Sequence, residues 1–341
     1  MTLRRRQILS GKLYLEAADR IPTTYYFLFI ISFFSRPQMS GGEEGEAGDT
    51  SCECCASCGK AEIDDIKLVP CDGCDLVKYC GDDCRENHKP EHEEECKKRA
   101  AELRDELLFK QPENTHRGDC PICSLPLPFD NHKSGMYPCC SKTICTGCVY
   151  ANYIRFSGQM SCPFCREPAP ETDEEIDKQN MKRIDANDPL AIHQQGAAQY
   201  MKGDYHGAFD YYTKAAGLGH ADAHFRLALL YRDGEGVEKD KGKEIHHMEE
   251  AAIGGHPNAR HNLGAHEWNN NDNAERAVKH FIIAATQGND LSIKMLMDIF
   301  KCELISKEVL AATLRAHKAA VDASKSPQRE EAELYYRNKV I

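Results

Sequence analysis

With 341 residues and a 41% hydrophobic share, the chain has room for two or three domains of ordinary soluble composition. Its net charge of −11, from 43 basic against 54 acidic side chains, argues against a general nucleic-acid binder, because neutralising phosphate takes surplus Lys and Arg. No nucleic acid is therefore expected, and proteins are the expected partners.

Residues 1–51 carry mixed signals. Arg4, Arg5 and Arg6 precede an apolar run from Tyr25 to Phe34, which imitates a signal peptide but falls short of the about 20 residues of a spanning helix. Met39 opens a polar stretch that reads as a second start and a disordered N-terminus. A mispredicted upstream extension, a membrane-proximal anchor and a cleaved signal all stay open, and membrane association rests on this run alone.

Seventeen of the 18 cysteines fall between Cys52 and Cys165, leaving only Cys302 beyond, so two segments of different construction share the chain. Most come as C-x-x-C pairs with histidine interleaved, the spacing of a tetrahedral metal site rather than of a disulfide scaffold. Zinc thiolates persist where thiols stay reduced, so a cytoplasmic or nuclear location is expected.

The first cluster runs Cys55-x-x-Cys58, Cys71-x-x-Cys74, Cys80-x-x-x-Cys84 and His92-x-x-x-Cys96: eight ligands for two zinc ions. So short a segment cannot bury enough apolar surface to fold alone, whereas structural zinc supplies roughly 10–16 kcal/mol per site. The strings C-A-S-C-G-K, C-D-G-C, K-Y-C-G-D-D-C and H-K-P-E-H-E-E-E-C resemble the MYND zinc finger over residues 55–96. In that family the ligands interleave, which implies Cys55, Cys58, Cys80 and Cys84 on one zinc and Cys71, Cys74, His92 and Cys96 on the other. Lys89 stands where the family usually has tryptophan. Cys52-x-x-Cys55 is an alternative first pair, but Gly59-Lys60 favours the later one. His88 and His132 are left out of the ligand sets, since the count is already complete.

A charged helical linker is expected over residues 97–118, where Ala101, Leu103, Leu107 and Leu108 fall at helical spacing before Pro112 and Gly118 break the pattern. The second cluster, residues 120–166, holds Cys120-x-x-Cys123, Cys139-Cys140, Cys145-x-x-Cys148 and Cys162-x-x-Cys165, again eight ligands for two zinc ions. Its strings C-P-I-C, C-C-S-K-T-I-C-T-G-C and C-P-F-C-R resemble a RING finger. The resemblance implies Cys120, Cys123, Cys145 and Cys148 on one zinc and Cys139, Cys140, Cys162 and Cys165 on the other. Lys142 occupies the place of a usual histidine ligand, and the adjacent Cys139 and Cys140 can restore the count. In the ligases of that family the finger holds a ubiquitin-conjugating enzyme and works by positioning. Ile122 and Pro163 match the contacts to that enzyme, and Arg166 matches the cationic group that bridges to ubiquitin. The plain alternative is that Ile122 and Pro163 pack the zinc loops and Arg166 is a surface charge.

Residues 167–187 read as an acidic linker or the first turn of a helix. A-A-G-L-G-H-A-D-A from Ala215 then recurs from Ala251 and more loosely from Ala284, at spacings of 36 and 33 residues, the period of a helix-pair solenoid. With A-H-F-R-L-A-L-L-Y-R-D-G-E-G-V-E-K-D, the pattern resembles the Sel-one-like repeat, a relative of the tetratricopeptide repeat. Three units are legible over about 188–292, with Ile293 to Ala323 as a helical cap, so that the array fills residues 188–323 and 324–341 remain as a tail. The expected fold is multidomain: two zinc-stabilised modules followed by an all-α helical-repeat solenoid, with about four structural zinc ions. Two functions follow. One is a RING-type ubiquitin ligase that takes substrates through its repeats; the other is a non-catalytic scaffold that brings proteins together. No serine triad, phosphate-cradling loop or open zinc site speaks for other enzyme chemistry.

Overall fold

The computed structural model describes residues 54–62, 67–156, 161–270 and 273–339. The expectations for residues 1–51 and for Cys52 lie outside the described residues. Two compact units meet between Lys110 and Gln111. No helix among the described residues is long and apolar enough to cross a membrane.

The first unit has almost no regular sheet. Strands β1 (Val69–Pro70) and β2 (Lys78–Tyr79) pair antiparallel, with Val69 opposite Tyr79 and Pro70 opposite Lys78. A ribbon of this size cannot stand alone in water, and its buried cluster is Cys55, Leu68 and Tyr79, flanked by Cys71, Cys80 and Cys84. Helix α1 (Asp82–Phe109) follows, with Asp82 and Asp83 in its first turn, where carboxylates meet the positive end of the helix. The finger's helix and the expected linker helix are therefore one continuous element. It stops at Lys110, just before Gln111 and Pro112, where the proline disfavours helical backbone. Residues 110–118 are irregular, so the linker is helical only to Phe109.

In the second unit, strands β3 (Ser134–Tyr137) and β4 (Lys142–Cys145) form a hairpin in register from Ser134↔Cys145 to Tyr137↔Lys142, and β4 runs into α2 (Thr146–Arg155). Their common core is Cys120, Leu127, Tyr137, Ile144, Cys145, Cys148 and Cys162, so ligand sulfurs do the filling that Leu and Ile do elsewhere.

The remaining helices are α3 (Asp173–Asp185), α4 (Pro189–Met201), α5 (Tyr205–Gly217), α6 (Ala221–Asp233), α7 (Lys241–Ile253), α8 (Pro257–Asn270), α9 (Ala274–Thr286), α10 (Asp290–Lys301), α11 (Lys307–Ala323) and α12 (Pro327–Lys339). Consecutive helices from α4 to α9 pack pairwise. Each second helix of a pair begins on an Asp or Asn cap: Asp204 accepts from Gly207 N–H, Asp240 from Lys243 N–H and Asn273 from Arg276 N–H. The Ala-Ala ends of those helices, Ala215–Ala216, Ala251–Ala252 and Ala284–Ala285, are all buried. The chain then turns through Gly219, Gly255 and Gly288 at φ of 81°, 83° and 92°, a conformation that side chains rarely accept. One cluster gathers Ile184, Ile192, Tyr212, Leu227 and Leu230; another gathers Phe281, Ile293, Leu296 and Ile299. The fold is thus cysteine-rich modules followed by a stacked helical array.

Two stretches differ from expectation. The acidic linker at 167–187 contains α3, capped by the Thr172 hydroxyl on Glu175 N–H and packed on α4 through a buried Ile184. The supposed tail at 324–341 contains α12, which packs on α2 with Ala332 wholly buried.

Candidate metal centres

Four donor sets form where the ligand spacings converge: Cys55, Cys58, Cys80 and Cys84; Cys71, Cys74, His92 and Cys96; Cys120, Cys123, Cys145 and Cys148; and Cys139, Cys140, Cys162 and Cys165. Within each set the donor atoms lie within 4.8 Å of one another. All 17 described cysteines are free of disulfides. Sulfur pairs stand 3.6 Å apart for Cys58–Cys80 and Cys80–Cys84, 3.7 Å for Cys71–Cys96, and 3.8 Å for Cys120–Cys148 and Cys123–Cys145. A tetrahedron with zinc–sulfur bonds of about 2.3 Å has edges of about 3.8 Å, so donor type and spacing both fit zinc. The fourth set is tighter, at 3.4 Å for Cys140–Cys162 and 3.3 Å for Cys139–Cys165. Its adjacent ligands sit in the β3–β4 turn, where Ser141 takes φ 53°. Lys142 is exposed and outside the set.

Backbone donors support the sulfurs. Burial raises the Cys55 thiol, but hydrogen bonds from the backbone at Cys58, Cys80 and Ser57 outweigh it and bring the thiol from 9.0 down to about 6. After three of the C-x-x-C turns the next residue is left-handed: Gly59 donates to Cys55 O, Ser124 to Cys120 O and Arg166 to Cys162 O. Arg166 is exposed at φ 63°, Ile122 is 45% exposed and Pro163 is half-buried. All three thus line the surface of the second module.

Two smaller roles resolve here. Cys54 lies outside the donor sets, bridging to Ala61. His88 takes a hydrogen bond of 3.0 Å with the buried Tyr79 hydroxyl and stacks on the ligand His92, which supports that ligand from behind.

A further cluster was not foreseen. His116, on the segment that follows α1, places Nε2 3.2 Å from Asp222 Oδ1, and His256 places its own Nε2 3.1 Å from the same oxygen. The two rings stack at 4.5 Å. Although the donor types would suit a metal, the tautomer does not: His256 Nδ1 accepts the Ala259 N–H, so the ring proton of neutral His256 is on Nε2 and points at Asp222. The set is a carboxylate accepting from two imidazoles. Burial works against the charge on Asp222, but both histidines hold it well below the ordinary carboxylate range. The adjoining cavity, lined by His116, Pro189, His220 and Asp222, is about 180 Å³, smaller than the roughly 300–1,000 Å³ usual for metabolite sites. Only the Gly-His turn signature hinted at this cluster; His116 lies in a stretch with no pattern of its own.

Comparison with known families places a MYND finger at residues 55–96 and Sel1 repeats at 190–220, 221–256 and 270–289. The second cysteine module matches no RING family. Comparison with the curated proteins finds no match. Among solved structures, the chain is similar to a Sel1 repeat protein from Oxalobacter formigenes, at 20% identity and a TM-score of 0.38, covering 53% of this chain and 73% of that one. It is also similar to c5321, a protective antigen of uropathogenic Escherichia coli with an SLR fold, at 20% identity and a TM-score of 0.35, covering 50% of this chain and 37% of that one. The chain therefore carries a MYND zinc finger and Sel1 repeats, joined by a second module of eight cysteines.

Proposed function

We propose that this chain is a zinc-dependent protein-interaction scaffold of the cytoplasm or nucleus. The observation that carries the reading is the pairing of a MYND finger with Sel1 repeats, both modules of protein–protein contact, on one chain whose cysteine and histidine sets are each complete with four donors. Complete sets are the mark of structural zinc, which shapes a surface and leaves no coordination position for a substrate. The test is quantitative affinity mass spectrometry of the full chain against a Cys71→Ser/Cys74→Ser variant and against a variant lacking residues 188–292. A scaffold loses a different, reproducible set of partners with each change; identical sets from all three proteins would refute it.

A second reading, ubiquitin transfer, is favoured by one observation: Ile122 and Arg166 are exposed on a module with interleaved donor sets. Its test is discharge of a conjugating enzyme's ubiquitin thioester by the zinc-loaded chain. On this reading Arg166→Ala abolishes discharge without releasing the enzyme, Ile122→Ala weakens docking by about 1–3 kcal/mol, and Pro163→Ala weakens it less. No discharge across a broad enzyme panel leaves the scaffold.

A further inference from the structure

Arg329, in the first turn of α12, is only 5% exposed. Its Nη1 donates to Pro126 O at 2.7 Å and Ser324 O at 2.5 Å; its Nη2 donates to Leu125 O at 3.2 Å and to Cys123 Sγ at 3.4 Å. A buried guanidinium stays charged, and burying it without an opposing charge or a full set of acceptors is costly. Among the described residues, the charge-bearing groups facing it are the cysteines of the third donor set, Cys123 and Cys145, rather than a carboxylate. Neutral thiols would leave that cation uncompensated. A zinc ion held by four thiolates, in contrast, carries two surplus negative charges.

We infer that Arg329 is the counter-cation of the zinc centre held by Cys120, Cys123, Cys145 and Cys148, and that α12 is the third part of that module, delivered from the far end of the chain. The inference rests on the zinc reading of this set. The docking around it is built rather than incidental. Gly147 lies between the ligands Cys145 and Cys148, and a Cβ there would meet Arg329 Cγ at 2.9 Å, its N at 3.0 Å and its Cα at 3.1 Å, so the ligand loop is glycine where Arg329 crosses it. Tyr335 packs its ring 4.7 Å from Tyr150 and 6.1 Å from Tyr153 of α2, and Lys133 pairs with Glu333 at 2.6 Å. The Ser326 hydroxyl accepts from Arg329 N–H and fixes the start of the helix.

A donor to a zinc thiolate withdraws charge from sulfur and slows its protonation and loss of metal; removing such outer partners typically costs 10- to 100-fold in metal affinity. Full-length wild type, Arg329→Gln and Arg329→Lys are loaded with zinc and titrated with a chromophoric chelator. Residual stoichiometry is read by native mass spectrometry, and the cysteines uncovered are mapped by alkylation. The expected result is that Arg329→Gln releases one ion at a 10- to 100-fold lower chelator concentration, uncovering Cys120, Cys123, Cys145 and Cys148 while the other sets stay protected. Arg329→Lys, which keeps the charge, should retain the ion close to wild type. Release of all ions in step with wild type, uncovering of a different set first, or a Lys variant as weak as Gln would each overturn the counter-cation role. A wild type that takes zinc only into residues 55–96 would overturn the zinc reading itself, a separate and recognisable outcome.

Discussion

His256 donates from Nε2 to Asp222 Oδ1 across 3.1 Å, tying the first turn of one helix pair to the first turn of the pair before it. One repeat later Asn289 Nδ2 reaches Asn258 Oδ1 at 2.9 Å from the same place in the motif. In both cases the residue's other polar atom caps its own helix: His256 Nδ1 on Ala259 N–H and Asn289 Oδ1 on Ser292 N–H. The histidine of the Gly-His signature is thus a cap and a cross-repeat donor at once. Asp222→Ala strands two buried imidazole donors and should cost about 2–4 kcal/mol, while Asn289→Ala, losing a neutral bond and a cap, should cost about 1–2 kcal/mol. Urea unfolding orders the two; an Asp222→Ala protein as stable as wild type would remove the ladder from the account.

Much of this architecture is legible in the sequence, because periodicity and ligand spacing are local signals. The two eight-ligand clusters, the 36- and 33-residue spacing and the glycine turns all appear within windows of a few dozen residues. What was not legible depends on contacts between distant segments. Nothing in P-Q-R-E-E-A-E-L-Y-Y-R marks Arg329 as a residue that ends 206 positions away at Cys123. His116 is likewise meaningless until the chain brings Asp222 and His256 beside it, and α3 looked like a linker because its charged face outweighs the single buried Ile184.

Metal removal separates the two kinds of core. The clusters of the finger and of the second module are largely sulfur, whereas those of the array are Ile, Leu, Tyr, Phe and Ala. Native mass spectrometry should give about four zinc ions per chain. Chelation should melt the finger and leave most of the helical signal of residues 173–323, since stacked helix pairs take their cohesion from apolar contact. Loss of that signal together with the zinc would contradict the division.

The array should weaken in mild acid. His193 has both ring nitrogens buried without a partner and stacks on His220 at 4.7 Å, and burial drives it from 6.5 down to about 3; burial likewise brings His256 to about 4. Because the native state holds these rings neutral, their contribution is complete above about 6.5 and is lost as pH falls from there toward 3 or 4. At pH 5 each such histidine costs about 2 kcal/mol relative to neutral pH. His193→Phe keeps the ring and removes the proton, so its unfolding free energy from urea titration should fall less between pH 7.5 and 5 than the wild type's, by about 2 kcal/mol. Parallel pH slopes in the two proteins would show that His193 is not the source.

The helix pairs also share a packing rule that a mutant cycle can test. Gly196, Ala228 and Gly264 hold the same place in α4, α6 and α8, and Tyr212, Met248 and Phe281 hold the same place in α5, α7 and α9. Glycine goes with an aromatic partner: a Cβ on Gly196 would stand 2.8 Å from the Tyr212 ring, and one on Gly264 would stand 2.8 Å from Phe281 Cε1. Alanine goes with the slimmer methionine. Gly264→Ala gains about 1 kcal/mol of helix propensity, but Phe281 is wholly buried and cannot swing aside, so overpacking of about 1–3 kcal/mol should prevail. Phe281→Met alone should cost under about 1.5 kcal/mol. Together the two changes reproduce the Ala228–Met248 pair of the middle repeat and should recover stability close to wild type, a coupling of more than about 1 kcal/mol. Urea midpoints of the four proteins measure it, and strictly additive effects would mean that the two positions do not pack as a pair.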